Sequence, residues 1–318
     1  MKTHFILGVD GGGTKVDVLL ADEKGNVLAR TQSDATNIKA VSSSDAKGHL
    51  DAAVISAIRS VHMPPQAKFF AACFGFAGLN TPSDEKEYRT LLTSCRFARK
   101  LPRDMLVVND TKIGLYSVAA DGVGVLLNAG TGSNCFGRNE KGEEAKAGGW
   151  DWLISDEGGA FYLGKSLLRS VMRSFDGRGP ETRLTSLVLS FLHLPDELAL
   201  HDWVYKGGFS KEKIASLAPL VTQAAKEGDN IARHILFFST EELILSVRTV
   251  VKRLGMGTKA FPLICMGGMF RMGPALLNEI QKKAKDFVPK ADVQLLQKKP
   301  VLGAIRMALE QVRNESDL

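Results

Sequence analysis

Twice in this chain an apolar run climbs into a glycine-rich turn and comes out as an alternating apolar–polar stretch. The first passage is Phe5-Ile-Leu-Gly-Val-Asp10-Gly-Gly-Gly-Thr-Lys15, continuing as Val16-Asp-Val-Leu-Leu-Ala21. The second is Val123-Gly-Val-Leu-Leu-Asn-Ala-Gly130-Thr-Gly-Ser-Asn134. A polar turn follows each, Asp22-Glu-Lys-Gly-Asn26 and Asn139-Glu-Lys-Gly-Glu143. Short apolar runs bounded by turn residues, with β-branched residues and period-two alternation, predict strands. The chain therefore repeats a strand–turn–strand unit.

Around the first unit the pattern predicts strands at Phe5–Val9, Val16–Ala21 and Val27–Ser33, and a helix over Asp45–Val61 that stops before Pro64-Pro65. A buried strand, Phe69–Phe74, leads into Gly75-Phe-Ala-Gly78. A helix over Asp84–Phe97 and a strand at Met105–Val108 follow, the latter ending at Asn109-Asp110. The sheet is mixed, with hairpins first and βα units after. The second unit restarts at Val123, takes in a long helical region from about Ala160 to Leu254, and returns to a strand at Phe261–Met266. Pro274–Lys285 and Val301–Val312 read as closing helices. At 318 residues two domains are expected. The boundary falls near Lys112–Asp121, giving a small lobe over 1–115 and a larger one over 116–318. No low-complexity linker divides them, which predicts two lobes packed across a cleft.

The apolar fraction of 44% is that of a globular chain. The charge balance is 41 − 35 = +6, with a sequence pI near 9.1. The positive residues are spread out and form no run interleaved with aromatics, so nucleic acid is not the expected partner. A mildly basic protein steering an anionic small ligand fits better. Cys73, Cys95, Cys135 and Cys265 form no CxxC pair and no metal spacing with histidine, so they read as buried thiols. The run Phe5–Val9 is too short for a signal peptide or a membrane span. No membrane association and a cytoplasmic location are therefore expected.

The glycine turns carry the chemistry. Asp10-Gly-Gly-Gly-Thr-Lys15 is followed by a strand, whereas a Walker A loop or a dinucleotide fingerprint needs a helix there. Without Cβ atoms, Gly11, Gly12 and Gly13 let backbone N–H groups approach phosphate oxygens. Thr14 adds a hydroxyl and Lys15 a point charge. Asp10, at the strand end, is placed to hold Mg²⁺ through water. Gly130, Thr131, Gly132 and Ser133 form the second grip, with two hydroxyl donors. Two such turns suit a polyphosphate held from two sides, and ATP is the expected nucleotide.

The ordered set Asp10-Gly-Gly-Gly-Thr14, Thr36-Asn37, Gly75-Phe-Ala-Gly78, Asn109-Asp110, Gly130-Thr-Gly-Ser-Asn134, Gly148-Gly-Trp150, Asp156-Glu-Gly158, Gly177-Arg-Gly-Pro180 and Met266-Gly-Gly268 resembles the N-acetylglucosamine kinase and BadF/BadG-type ATPase family of the actin/hexokinase/Hsp70 superfamily. The resemblance implies a two-lobed α/β fold with duplicated ribonuclease H-like mixed sheets and a central cleft. It implies an ATP- and Mg²⁺-dependent kinase for a small amino sugar, acting at O6 and assembling as a homodimer. Asp110 resembles the catalytic base, although its place also suits an N-cap for the helix from Thr111. Asn37, Gly78, Asp110, Asn134, Gly149, Trp150 and Asp156 resemble the sugar contacts, with core packing open for Trp150 and capping for Asp156. Gly267 and Gly268 resemble the adenosine site. Ala77 departs from the serine of human-type members, and Gly177-Arg-Gly-Pro180 is closer to bacterial ones. N-acetylglucosamine, glucosamine and N-acetylmuramate all stay open as acceptors. A partner-activating ATPase with a cysteine-held cluster and a non-catalytic sugar sensor are the competing expectations.

Overall fold

The structure, a computed structural model, describes residues 4–206 and 210–316. They form two compact units, one made of residues up to Gly124 with Leu296 onward, the other of Val125–Leu295.

The first unit opens with the expected hairpin, β1 (Phe5–Gly11) and β2 (Lys15–Ala21), then β3 (Val27–Asp34). Helix α1 (Ser43–Ser60) starts where the Ser42 hydroxyl accepts the Asp45 N–H. After β4 (Phe69–Phe76), α2 (Pro82–Ser94) begins with a capping box between Thr81 and Asp84 and a proline in its first turn. A short strand, β5 (Leu106–Asn109), runs directly into α3 (Asp110–Val118). The sheet order is β3-β2-β1-β4-β5, antiparallel in the hairpins and parallel from β1 to β5. With both faces covered, β4 is apolar throughout and β1 is so up to Asp10, as central strands of such a sheet are.

The second unit repeats that order: β6 (Gly124–Ala129), β7 (Ser133–Arg138) and β8 (Glu144–Gly148) form the meander. The helical region breaks into α4 (Ala160–Phe175), α5 (Arg183–Leu192), α6 (Glu197–Lys206), α7 (Lys211–Ala215), α8 (Ala218–Lys226) and α9 (Asn230–Arg253). Then come β9 (Pro262–Met266), α10 (Pro274–Ala284), β10 (Asp292–Leu295) and α11 (Val301–Ser316). The sheet order is β10-β9-β6-β7-β8, with β9 parallel to both β6 and β10. Each sheet is thus an antiparallel meander extended by two parallel strands, the duplication that the two glycine turns announced.

Three features differ from the sequence reading. Strand β10 was not anticipated, because four residues beside polar neighbours carry little periodicity. Strand β4 continues through Gly75-Phe76, which the glycine had suggested was already turn. Helix α11, expected to close the larger lobe, belongs to the first unit, and the break between units falls at Gly124 rather than near residue 115. Its Val301, Ala304, Ile305 and Ala308 complete a core with Ile6, Ala71, Cys73 and Ile113, on the opposite sheet face from α1 and α2.

Close approach decides that packing. A Cβ on Gly303 would overlap the Ile113 carbonyl, so α11 touches the α3 backbone through a residue with no side chain. Gly303→Ala is expected to cost about 1–3 kcal/mol, as overpacking does elsewhere. Urea unfolding of the purified variant reads this directly; an unchanged midpoint would mean that α11 is not seated on α3 as described.

Candidate active site

In the first unit, the turn after β1 is held from behind by its carbonyls. The Gly11 carbonyl accepts the Ala77 N–H at 2.9 Å, and the Gly12 carbonyl accepts the N–H groups of Thr36 and Asn37 at 3.0 and 3.2 Å. The Gly12 N–H closes the turn onto the Lys15 carbonyl. In a trans peptide the N–H points opposite the C=O. The Gly13 N–H therefore faces away from the Thr36–Asn37 loop, and Gly13 has open space around it. Gly13, Thr14 and Lys15 are exposed. Lys15 lies on Asp17 at 2.9 Å, and Asp17 also takes Arg30 at 2.7 Å and Gln32.

Asp10 is half-buried between the buried Val9 and Gly11 of β1. Burial pushes its carboxyl up to about 7, and the negative charges of Asp110 and Asp17 push the same way against the opposing pull of Lys15. Asp110 therefore stands close enough to Asp10 to repel it. The alternative role for Asp110 is filled by its neighbour: Asn109 is the N-cap of α3, its Oδ1 accepting the Thr111 N–H at 3.0 Å and the Thr111 hydroxyl. The Asn109 Nδ2 is tied to the Leu79 carbonyl at 2.9 Å. Asp110 is left in the first turn of α3, where the helix dipole favours an anion. Among the described residues no group of three or more His, Cys, Asp or Glu side chains is placed to hold a metal ion, and the Asp17 carboxylate is engaged by Lys15, Arg30 and Gln32. Asn37 and Gly78 also meet, since a Cβ on Gly78 would lie 2.7 Å from Asn37 Oδ1. That oxygen accepts the Lys39 N–H at 3.0 Å, and Gly78 has φ +81°.

In the second unit, the turn after β6 rests on the start of α4. The Gly130 and Thr131 carbonyls accept the N–H groups of Ala160 and Phe161 at 2.8 and 2.9 Å, and the Gly132 carbonyl accepts the Gly130 N–H at 2.9 Å. By the same trans-peptide geometry the Thr131 and Gly132 N–H groups point away from α4. Thr131 is exposed. Ser133 departs from expectation: it is buried, and its hydroxyl donates to the Glu157 carbonyl, so it braces the turn from inside. Gly267, with φ +112°, packs its Cα against the Ala129 carbonyl and the Gly130 nitrogen. Only glycine fits both that angle and that gap. The Gly267-Gly268 turn thus adjoins the Gly130–Gly132 turn, and Gly268 has open space beside it.

Asp156 packs on the same turn: a Cβ on Gly132 would overlap its carboxylate. It is 6% exposed, has φ +68°, and its carboxyl is raised by burial against the opposing effect of Lys211. Its helix-cap alternative is not realised, because α4 starts at Gly159 without a side-chain cap. Asn134 and Gly149 are in contact, and Asn134 Oδ1 is a buried acceptor without a protein donor. Trp150 is 51% exposed with the Lys146 ammonium 4.9 Å from its ring centre, while Trp152 packs on Phe161. Of the two tryptophans, then, Trp152 takes the packing role. Lys211, 55 residues beyond Asp156, gave no motif signal; only its ion pairs place it here.

The chain was compared with known proteins. It is 30% identical over 98% of its length to an N-acetylmuramic acid/N-acetylglucosamine kinase of Clostridium acetobutylicum, covering 99% of that protein. It is 29% identical over 97% of its length to an N-acetyl-D-glucosamine kinase of Dictyostelium discoideum, covering 99% of that chain. A solved Chromobacterium violaceum protein, given as a candidate N-acetylglucosamine kinase, shares the fold with a TM-score of 0.76 at 23% identity, over 96% of this chain and 99% of that one. A family model for the BadF/BadG/BcrA/BcrD ATPases matches residues 7–308, from within β1 into α11, and the chain belongs to that ATPase family.

Proposed function

We propose that the chain is an ATP-dependent amino-sugar kinase, transferring the γ-phosphate of Mg-ATP to a hydroxyl, O6, of N-acetylglucosamine or a related amino sugar. One observation carries the reading: Asn109, not Asp110, caps α3, and the Asp110 charge acts on Asp10, at the end of the strand that leads into the first phosphate turn. A carboxylate so placed accepts the acceptor hydroxyl's proton as that oxygen bonds to the γ-phosphorus and the bond to the β-phosphate oxygen breaks. Gly11–Lys15 in the first unit and Gly130–Gly132 in the second provide the N–H groups and hydroxyls for the phosphates. Asp10 is the residue to hold Mg²⁺, which neutralises phosphate charge when bound. Gly267 and Gly268 admit the adenosine. Asn37, Gly78, Asn134, Gly149, Trp150 and Asp156 are the acceptor contacts. The names of the two curated relatives, matched nearly end to end, support the acceptor class.

The four cysteines give no support to a cluster-bearing activator. All are buried and free, with the thiols of Cys73, Cys95 and Cys265 pushed up to about 12 by burial. Among the described residues no helix is long and apolar enough to cross a membrane. A cytoplasmic homodimer is the assembly we propose, and light scattering of the purified chain reads its mass.

The deciding experiment is coupled ADP release with Mg-ATP against N-acetylglucosamine, glucosamine, N-acetylmuramate, N-acetylmannosamine and glucose, with a sugar-free blank. Turnover that depends on an amino sugar is expected. Equal ADP release in every well would point to the partner-activating ATPase, and silence throughout to a sensor.

A further inference from the structure

Lys211 joins two acidic residues that share an unusual backbone. Its ammonium lies 2.8 Å from Asp151 Oδ1 and 3.3 Å from Asp156 Oδ2. Asp151 and Asp156 have φ values of +80° and +68°, the left-handed region that side chains disfavour. Such residues persist only where surrounding contacts over-determine them. For Asp156 those contacts are the Gly132 backbone, the Ser133 N–H and Lys211. For Asp151 they include the Trp152 N–H at 2.8 Å, the Ile154 and Ser155 N–H groups on its carbonyl, and the same lysine.

The lysine is itself firmly mounted. A Cβ on Gly164 of α4 would overlap the Ile214 carbonyl, so α7 sits directly on the α4 backbone, and Ile214 and Ala215 pack with Phe161. The start of α4 also carries the Gly130–Gly132 turn through Ala160 and Phe161. Lys211, Asp156 and the second phosphate turn thus share one base. The groups facing the Asp156 carboxylate are Lys211 from α7, Asp151 from the preceding loop and the Ser133 N–H from β7. Among the described residues Lys211 is the cation in that set, and an uncompensated buried carboxylate takes up a proton instead.

We propose that Lys211 is a positioning residue for the acceptor, its ammonium supplying the counter-charge and the second anchor that hold the Asp156 carboxylate against the Gly132 turn. The proposal rests on the kinase reading for its substrate and on the unit's own geometry for its anchor. A protonated or displaced Asp156 accepts hydroxyl hydrogen bonds poorly, whereas ATP held at Gly130–Gly132 meets backbone N–H groups that Lys211 does not touch.

Lys211→Met and Lys211→Arg test it. In Lys211→Met the KM for the amino sugar is expected to rise about 10-fold or more, the loss expected when a site loses one charged hydrogen-bond anchor. The KM for ATP should move little and kcat less than the sugar KM. The acid limb of kcat/KM should shift to higher pH, and Lys211→Arg should recover most of the affinity. An unchanged sugar KM and pH profile, or equal losses toward ATP and sugar, would overturn it. A sugar-free readout keeps this apart from the kinase reading. The melting-temperature deficit of Lys211→Met should be smaller at pH 5 than at pH 8, because burial already raises the Asp156 carboxyl and proton uptake removes its need for a cation. The same deficit at both pH values would overturn the anchor even in a chain that phosphorylates no sugar.

Discussion

Asp110→Asn is expected to lower kcat by about 10²-fold or more while leaving the KM for sugar and for ATP within a few-fold of the parent. The amide keeps the shape and the place of the carboxylate in the first turn of α3, so the helix and its Asn109 cap stay intact. What it loses is the capacity to accept a proton as the acceptor oxygen attacks. The remaining rate comes from positioning and charge neutralisation, which supply most of phosphoryl-transfer catalysis. Near-normal turnover in this variant would remove Asp110 from the mechanism and return it to a structural role.

Asp10→Asn should combine lost activity with gained stability. As the proposed Mg²⁺ residue, Asp10 is worth about 10²-fold or more in turnover at saturating metal. In the ligand-free protein its carboxyl is raised from 3.8 to about 7, chiefly by burial and then by Asp110 and Asp17. The folded state therefore binds this proton more tightly than the unfolded state does. Stability falls as pH rises from about 4 to about 7, and the deficit is fully present above 7. Removing the charge should recover about 2–4 kcal/mol at pH 8 and almost nothing at pH 4. Thermal melts at the two pH values decide it, and added Mg²⁺ should raise the parent's midpoint at pH 8 more than the variant's. A variant no more stable than the parent at pH 8 would show that Asp10 carries no stored repulsion. Such a trade is common at active sites, where groups needed for ligands are poorly placed for folding alone.

The sequence by itself determined the duplicated strand–turn–strand units, the mixed sheets and the positions of both glycine turns. These are local: an apolar run, glycines and an alternating strand within some fifteen residues leave few backbone choices. It also marked Asp10, at the strand end before the first glycine turn, and, through the resemblance of the ordered motifs, Asp110 and Asp156. Which contacts each acid makes was decided only by tertiary structure. That Asn109 caps α3, that Ser133 faces inward to Glu157, and that Trp152 rather than Trp150 packs on Phe161 depend on which way side chains point once elements meet. Lys211 and α11 are the clearest cases. The lysine reaches its aspartates across 55 and 60 residues, and α11 returns to pair with α3 some 190 residues away, the span of the Arg306–Tyr116 hydrogen bond. Periodicity reports which face of a helix is apolar, but not which unit it covers. That choice was made by Gly303, whose missing side chain lets α11 lie on the Ile113 backbone.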